Sequence, residues 1–273
     1  MADNHSVLPW TLDAIDWSRL EPEHSRSDPI VYYLVAAASF IETAADLYST
    51  NLTEYFSEPR LRRWLVENWQ AEELQHGRAL RRYVETVWPE LDWQRGYEAF
   101  FAEYGPLCKQ EALEARPALE LAARCVIETG TATFYTALER RALEPVLREL
   151  AGKIRQDEVR HYTHFREFLD VLRRDAEVGR LEVLGALYRR AREAQNEDAY
   201  LGFKRAWCMR HPDGRFDDAL FESFRVQLRE MMATCYPYRM AVQMLLRPLE
   251  LNRTLVKLAL PPLERAARRA MFS

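Results

Sequence analysis

The stretch QAEELQHGRAL (residues 70–80) puts Glu73 and His76 on a helix face whose other members are apolar. The stretch RQDEVRHYTHF (155–165) does the same with Glu158 and His161. Residues at i, i+3, i+4 and i+7 share one face of a helix. The first stripe then reads Leu65, Trp69, Glu73, His76, Leu80, Tyr83, Val87. The second reads Leu147, Leu150, Ile154, Glu158, His161, Phe165, Phe168, Leu172. Burying a lone carboxylate costs on the order of several kcal/mol, or shifts its pKa until it is neutral. Whatever fold this chain adopts must supply something positive beside these acids.

Two more acids share the problem. SDP (27–29) starts a helix with Asp28 as N-cap and Pro29 at the first helical position. That helix is expected to run to about residue 54, with the stripe Val35, Ala38, Glu42, Ala45, Ser49, Leu52. SEP (57–59) starts the helix of Glu73 in the same way, and Pro89 stops it. A third helix, from RPALE onward, has the stripe Leu121, Cys125, Glu128, Thr131, Tyr135, Leu138. The fourth begins at EPVLREL and carries Glu158 and His161. Glu42 and Glu73 are 31 residues apart, and Glu128 and Glu158 are 30 apart, each pair centred on its own Glu-Pro turn. In an antiparallel helix pair, residues equidistant from the turn lie at one height, here about 22 Å along at a rise of about 1.5 Å per residue. The two hairpins are copies of one design, a Glu plus a Glu-x-x-His. Two divalent cations balance four carboxylates, and this ligand set is that of dinuclear carboxylate bundles.

The oxygen-rich set of Glu42, Glu73, His76, Glu128, Glu158 and His161 suits two iron ions, or manganese in one or both places, better than a tetrahedral zinc site. An acid precedes each Glu-x-x-His, and ligating histidines usually donate their free N–H to such a group. Asp157 is expected to meet His76, and Glu72 to meet His161. Thr131, one turn after Glu128, could offer its hydroxyl to the centre. His164, one turn beyond His161, reads as a surface residue or as one that supports the ligands from outside, and the pattern leaves open whether it joins the site. Gly77 and Gly130 each adjoin a site residue and leave room for a substrate or for close packing. A third Glu-x-x-His, EPEH at 21–24, contains a proline, lies on no apolar stripe, and is read as chance.

Low glycine and abundant Ala, Leu, Glu and Arg point to an all-α fold. A net charge of −4 argues against nucleic acid as a partner. The four scattered cysteines form no C-x-x-C pair, which speaks against a zinc ribbon or a disulfide framework. The most apolar run, from residue 30, is interrupted by Glu42 too early for a membrane span, and no signal peptide is evident. A cytoplasmic protein is the expectation. Residues 1–27 read as an arm, 28–178 as the metal-binding bundle with a long crossover between its second and third helices, and 179–273 as a helical extension. Turns are expected at HPDG (211–214) and LPP (260–262).

At WLVENWQAEELQHGRALRRY and IETGTATFYTAL…KIRQDEVRHYTHF the chain resembles the ferritin-like superfamily, and there most closely the soluble acyl-carrier-protein desaturases. The likeness covers about residues 30–175. It matches Glu72, Glu73, His76 and Gly77 on one helix, Glu128 and Thr131 on another, Asp157, Glu158 and His161 on a third, and Glu42 on the first. The resemblance implies a four-helix bundle with a di-iron centre. Such a centre activates O₂ with two electrons from a donor such as a ferredoxin and oxidises an unreactive C–H bond; the expected activity is an O₂-dependent oxidation of the desaturase, hydroxylase or N-oxygenase type. Residues 180–273 match nothing in that family. Aromatic-amine N-oxygenases share the cage but add a histidine where this chain has Ile154. The apolar stripes (Trp69, Leu80, Tyr135, Phe165, Phe168) lead to an apolar substrate, with a fatty acyl chain first. It would come free or on an acyl carrier protein meeting Arg60, Arg62 and Arg63. A homodimer is expected, and the amphipathic C-terminal helices are read either as a wall of the substrate pocket or as a dimer face. The alternatives are an iron-handling or peroxide-reducing ferritin relative, and a metal-containing ligand-binding protein without turnover.

Overall fold

A computed structural model of the chain describes residues 8–109, 113–193 and 197–272. It is all-α, with no strand among the described residues. The helices, in order, are α1 (Pro22–Arg26), α2 (Pro29–Thr43), α3 (Ala45–Tyr55), α4 (Pro59–Trp64), α5 (Gln70–Val87), α6 (Trp93–Tyr104), α7 (Pro117–Arg141) and α8 (Pro145–Asp175). They continue as α9 (Arg180–Glu193), α10 (Glu197–Arg210), α11 (Asp218–Cys235), α12 (Tyr238–Leu246) and α13 (Arg253–Phe272).

The caps follow the sequence. Asp28 accepts from the Ile30 N–H at 3.2 Å, Glu58 from Leu61 N–H, and Glu144 from Leu147 N–H at 2.6 Å, each just before a proline at the first helical position. Four departures are equally physical. The first expected helix breaks at Ala44 into α2 and α3. Ser39 and Thr43 bond their hydroxyls back to the carbonyls of Ala36 and Ser39, a pattern that bends helices. The second is interrupted by a π turn, Leu65–Trp69, between α4 and α5. On α8 the buried stripe drifts beyond Phe165. Phe168 and Leu172 are only half-buried, and Leu169 and Arg173 take their places. LPP makes no turn, because α13 runs through Pro261 and Pro262. The carbonyls left without an N–H partner belong to the exposed Lys257 and Leu258, where water can serve them. HPDG does separate α10 from α11.

No single helix among the described residues is long and apolar enough to cross a membrane. The pair α2 and α3 has the length and composition together, but it is bent by 42° and most of α2 is buried.

The residues gather into two compact units, neither continuous in sequence. The first comprises residues 8–109, 142–150 and 197–221. In it α2 packs against α5 and α10, with Tyr32, Val35, Phe40, Leu80, Tyr83, Trp88 and Trp93 in the core. Gly202 lets α10 come close to α2, since a Cβ there would lie 2.8 Å from the Ala37 Cβ. The second comprises 113–141, 151–193 and 222–272. In it α7 packs against α9 and α12, and Leu121, Cys125, Tyr135, Tyr162, Phe165 and Tyr238 are buried. Burial pushes the Cys125 thiol well above its usual range, so it is a core thiol and not a nucleophile. Glu120, fully buried, accepts from the Arg124 guanidinium at 2.8 Å and from Glu114 N–H at 2.8 Å, with Arg190 at 3.5 Å.

Candidate metal centre

In the first unit, α2 carries Glu42 and α5 carries Glu73 and His76. All three are buried, His76 completely. One ligand atom from each lies within 4.8 Å of the other two. His76 turns Nδ1 toward Glu42 Oε2 at 3.9 Å, a separation too long for a hydrogen bond and suited to a shared ion. The approach of the two helices is set at Gly77. A Cβ there would lie 2.7 Å from the backbone nitrogen of Thr43, the residue after Glu42.

The N-terminal segment adds a contact that the periodicity does not signal. Trp10 is buried, and its ring lies parallel to the His76 imidazole, with centroids 6.2 Å apart and planes 9° from parallel. Gln75, beside His76 and buried, donates its amide to the Trp10 carbonyl at 2.7 Å.

In the second unit, α7 carries Glu128 and α8 carries Glu158 and His161, all buried. One ligand atom from each again lies within 4.8 Å of the other two. His161 Nδ1 is 3.6 Å from Glu128 Oε2 and 3.9 Å from Glu158 Oε2. Thr131 donates its hydroxyl to Glu158 Oε2 at 2.6 Å, so it meets a proposed ligand as well as its own backbone. Burial pushes the Glu128 carboxyl up to about 7, partly opposed by the neighbouring His161. Glu128 Oε2 is buried and accepts no hydrogen bond. Leaving a carboxylate oxygen in that state is costly unless a cation takes it. This atom and the chemistry of the donor set both fit a metal ion.

The acids before each motif are also buried, not solvated: Glu72 at 7% and Asp157 at 1% exposure. Asp157 accepts from the Arg160 guanidinium at 2.5 Å. His164 is exposed and pairs with Glu167 at 3.7 Å, which makes it a surface residue. The two glycines differ. Gly77 is a close-packing position, whereas Gly130 is exposed and an added Cβ would meet nothing within 4 Å.

All six expected ligands are therefore buried, and three fall together in each unit. Buried glutamate and histidine groups of this kind could hold a metal ion. Trp10 and Gln75 were not legible as part of the site. The hint was the pair of tryptophans, Trp10 and Trp17, in LPWTLDAIDW, a segment without helical period. No protein-family model matches the chain, and no curated protein matches it.

Proposed function

We propose that the two triads form one dinuclear centre, holding two iron ions within a ferritin-like bundle of α2, α5, α7 and α8. The observation that carries this reading is the mirrored composition. Each unit buries two carboxylates and one imidazole with donor atoms within 4.8 Å, at matched positions about its own Glu-Pro turn. Each triad alone holds two acids that its one histidine cannot neutralise. Manganese would fit the same oxygen-rich set.

Iron in such a centre supplies O₂ activation with two electrons from an external donor of the ferredoxin type. The chain supplies the rest. Glu42, Glu73, Glu128 and Glu158 hold the ions and balance their charge. Asp157 and Glu72, both buried, orient His76 and His161. Thr131 fixes the rotamer of Glu158 through its hydrogen bond. Trp69, Leu80, Tyr135 and Phe165 keep the surroundings dry and apolar, which favours an apolar substrate, a fatty acyl chain first. Arg60, Arg62 and Arg63 are exposed and available to an acidic acyl carrier.

The test has two readouts. Purified protein should bind close to two Fe(II) per chain, about two per four carboxylates by charge balance, and Glu73→Ala or Glu158→Ala should lose most of it. Retention of full metal by both variants would overturn the ligand assignment. O₂ uptake by the reduced, iron-loaded protein is then measured with free fatty acids, acyl carriers and small aromatic amines. Acceleration by acyl substrates supports the reading, and acceleration by amines alone replaces the substrate class. Consumption of O₂ or of peroxide with iron alone and no organic substrate moves the protein to the iron-handling or peroxide-reducing alternative.

A further inference from the structure

Residues 10–26, α1 included, are strapped along α5 in one direction. Trp10 stacks on His76 and its carbonyl takes the Gln75 amide. The Trp17 ring lies under the Arg82 guanidinium at 4.4 Å. Ser25 bonds the Tyr83 hydroxyl at 2.7 Å, and Arg26 donates to the Val87 carbonyl at 2.7 Å. Glu21 N–H is held by Glu144 at 3.1 Å. The segment thus follows α5 from the proposed ligand His76 to the end of the helix, and Ile15 buries a further side chain midway. With Trp10 in place, His76 has no exposed surface.

We infer that Trp10, tethered by Gln75, is a positioning residue that holds the His76 ring and governs how fast a metal ion leaves the Glu42, Glu73, His76 triad. This rests on the metal-centre reading above. The physical reason is that a buried ligand releases its ion only after a local opening. Here an opening at His76 must first separate a stacked ring pair and break a buried hydrogen bond. Neither contact involves a ligating oxygen, so their loss should change the rate of release more than the number of ions held. The tether also bears on orientation. A tryptophan face against the imidazole limits rotation of the ring, and Nδ1 must stay turned toward Glu42 to ligate.

The experiment loads the full chain with Co(II), mixes it with excess EDTA, and follows the decay of the Co(II) visible bands. Trp10→Ala and Gln75→Ala should release cobalt about 10–100-fold faster than the wild type, the usual effect of losing an outer partner of a ligating histidine. Both should keep near-wild-type stoichiometry at saturation. Trp10→Phe, which retains an aromatic face, should stay within a few-fold of wild type. Cobalt should also quench tryptophan emission less in Trp10→Phe than in wild type, because Trp10 lies against His76, and the rescue of the release rate by phenylalanine is what a purely structural role would not predict. Circular dichroism checks folding, and Gln75→Ala decides the matter if Trp10→Ala does not fold. Wild-type release rates in the alanine variants, or release from Trp10→Phe as fast as from Trp10→Ala, would overturn the inference and leave the metal centre standing. A wild-type protein that binds no cobalt would instead remove the metal centre and this inference with it.

Discussion

Single positions separate the two glycines beside the ligands. Gly77 sits where α5 meets the backbone of Thr43 at 2.7 Å from a would-be Cβ, and the two nearest atoms in the way, the Thr43 nitrogen and Cα, are main chain, which cannot swing aside. Gly77→Ala should therefore cost about 1–3 kcal/mol through forced separation of α2 from α5. The same change should weaken metal binding, because Glu42 and His76 lie on the two helices being pushed apart. Gly130→Ala should do the opposite, stabilising by up to about 1 kcal/mol, because alanine is the better helix former and nothing obstructs it. Urea melts of the pair check both signs. Equal stability of Gly77→Ala and wild type would mean that the helices do not approach as closely as drawn.

At the scale of elements, the start of α8 depends on one side chain. Glu144 accepts from Leu147 N–H at 2.6 Å and Val146 N–H at 3.1 Å as an N-cap. It also accepts from the Tyr83 hydroxyl at 3.0 Å and from Glu21 N–H at 3.1 Å. Glu144→Ala should lose about 1–2 kcal/mol for the cap and about 1 kcal/mol more for the lost Tyr83 hydrogen bond, since the Tyr83 hydroxyl keeps Ser25 as a partner at 2.7 Å. Glu144→Ala combined with Tyr83→Phe should cost less than the two single losses together, a partial recovery, because both changes remove the same Tyr83–Glu144 hydrogen bond. A thermal or urea double-mutant cycle reads the recovery, and strict additivity would show that the two groups do not interact. A comparable dependence holds α7. Glu120 is fully buried between Arg124 and Arg190, and Glu120→Ala should cost about 3–5 kcal/mol, chiefly by leaving the buried Arg124 charge without this carboxylate, since Arg190 keeps Glu193 at 3.7 Å.

For the whole molecule, the buried acids make folding and metal binding one equilibrium. A chain that binds ions only when folded is stabilised by about 2.7 kcal/mol at a free metal concentration of 100 Kd. Chelation should therefore lower the melting temperature of the wild type. It should leave a variant lacking Glu73 and Glu158 unchanged, since that variant has little metal to lose. A wild-type melting temperature indifferent to chelator would count against a metal centre built from these residues.

The amino-acid pattern by itself determined which side chains are buried and why that needs explaining. Helical period places Glu42, Glu73, His76, Glu128, Glu158 and His161 on core stripes, and all six are buried. Local chemistry also determined where α2, α4 and α8 begin, because an acid followed by proline is a self-contained start signal read within one turn. Only the tertiary structure decided the rest. The break at Ala44 and the π turn at Leu65–Trp69 shift the register by amounts that a stripe of apolar residues tolerates without trace. The drift of α8 onto Leu169 and Arg173 follows the accumulated mismatch of a long helix with its neighbours, not any one residue. The prolines of α13 are strong local breakers, yet the helix continues through them because the carbonyls they strand lie on exposed residues. Trp10 against His76 joins residues 66 positions apart through a segment with no period to read. Periodicity reports which way a side chain faces within its own element, and it carries no information about which distant segment arrives to cover it.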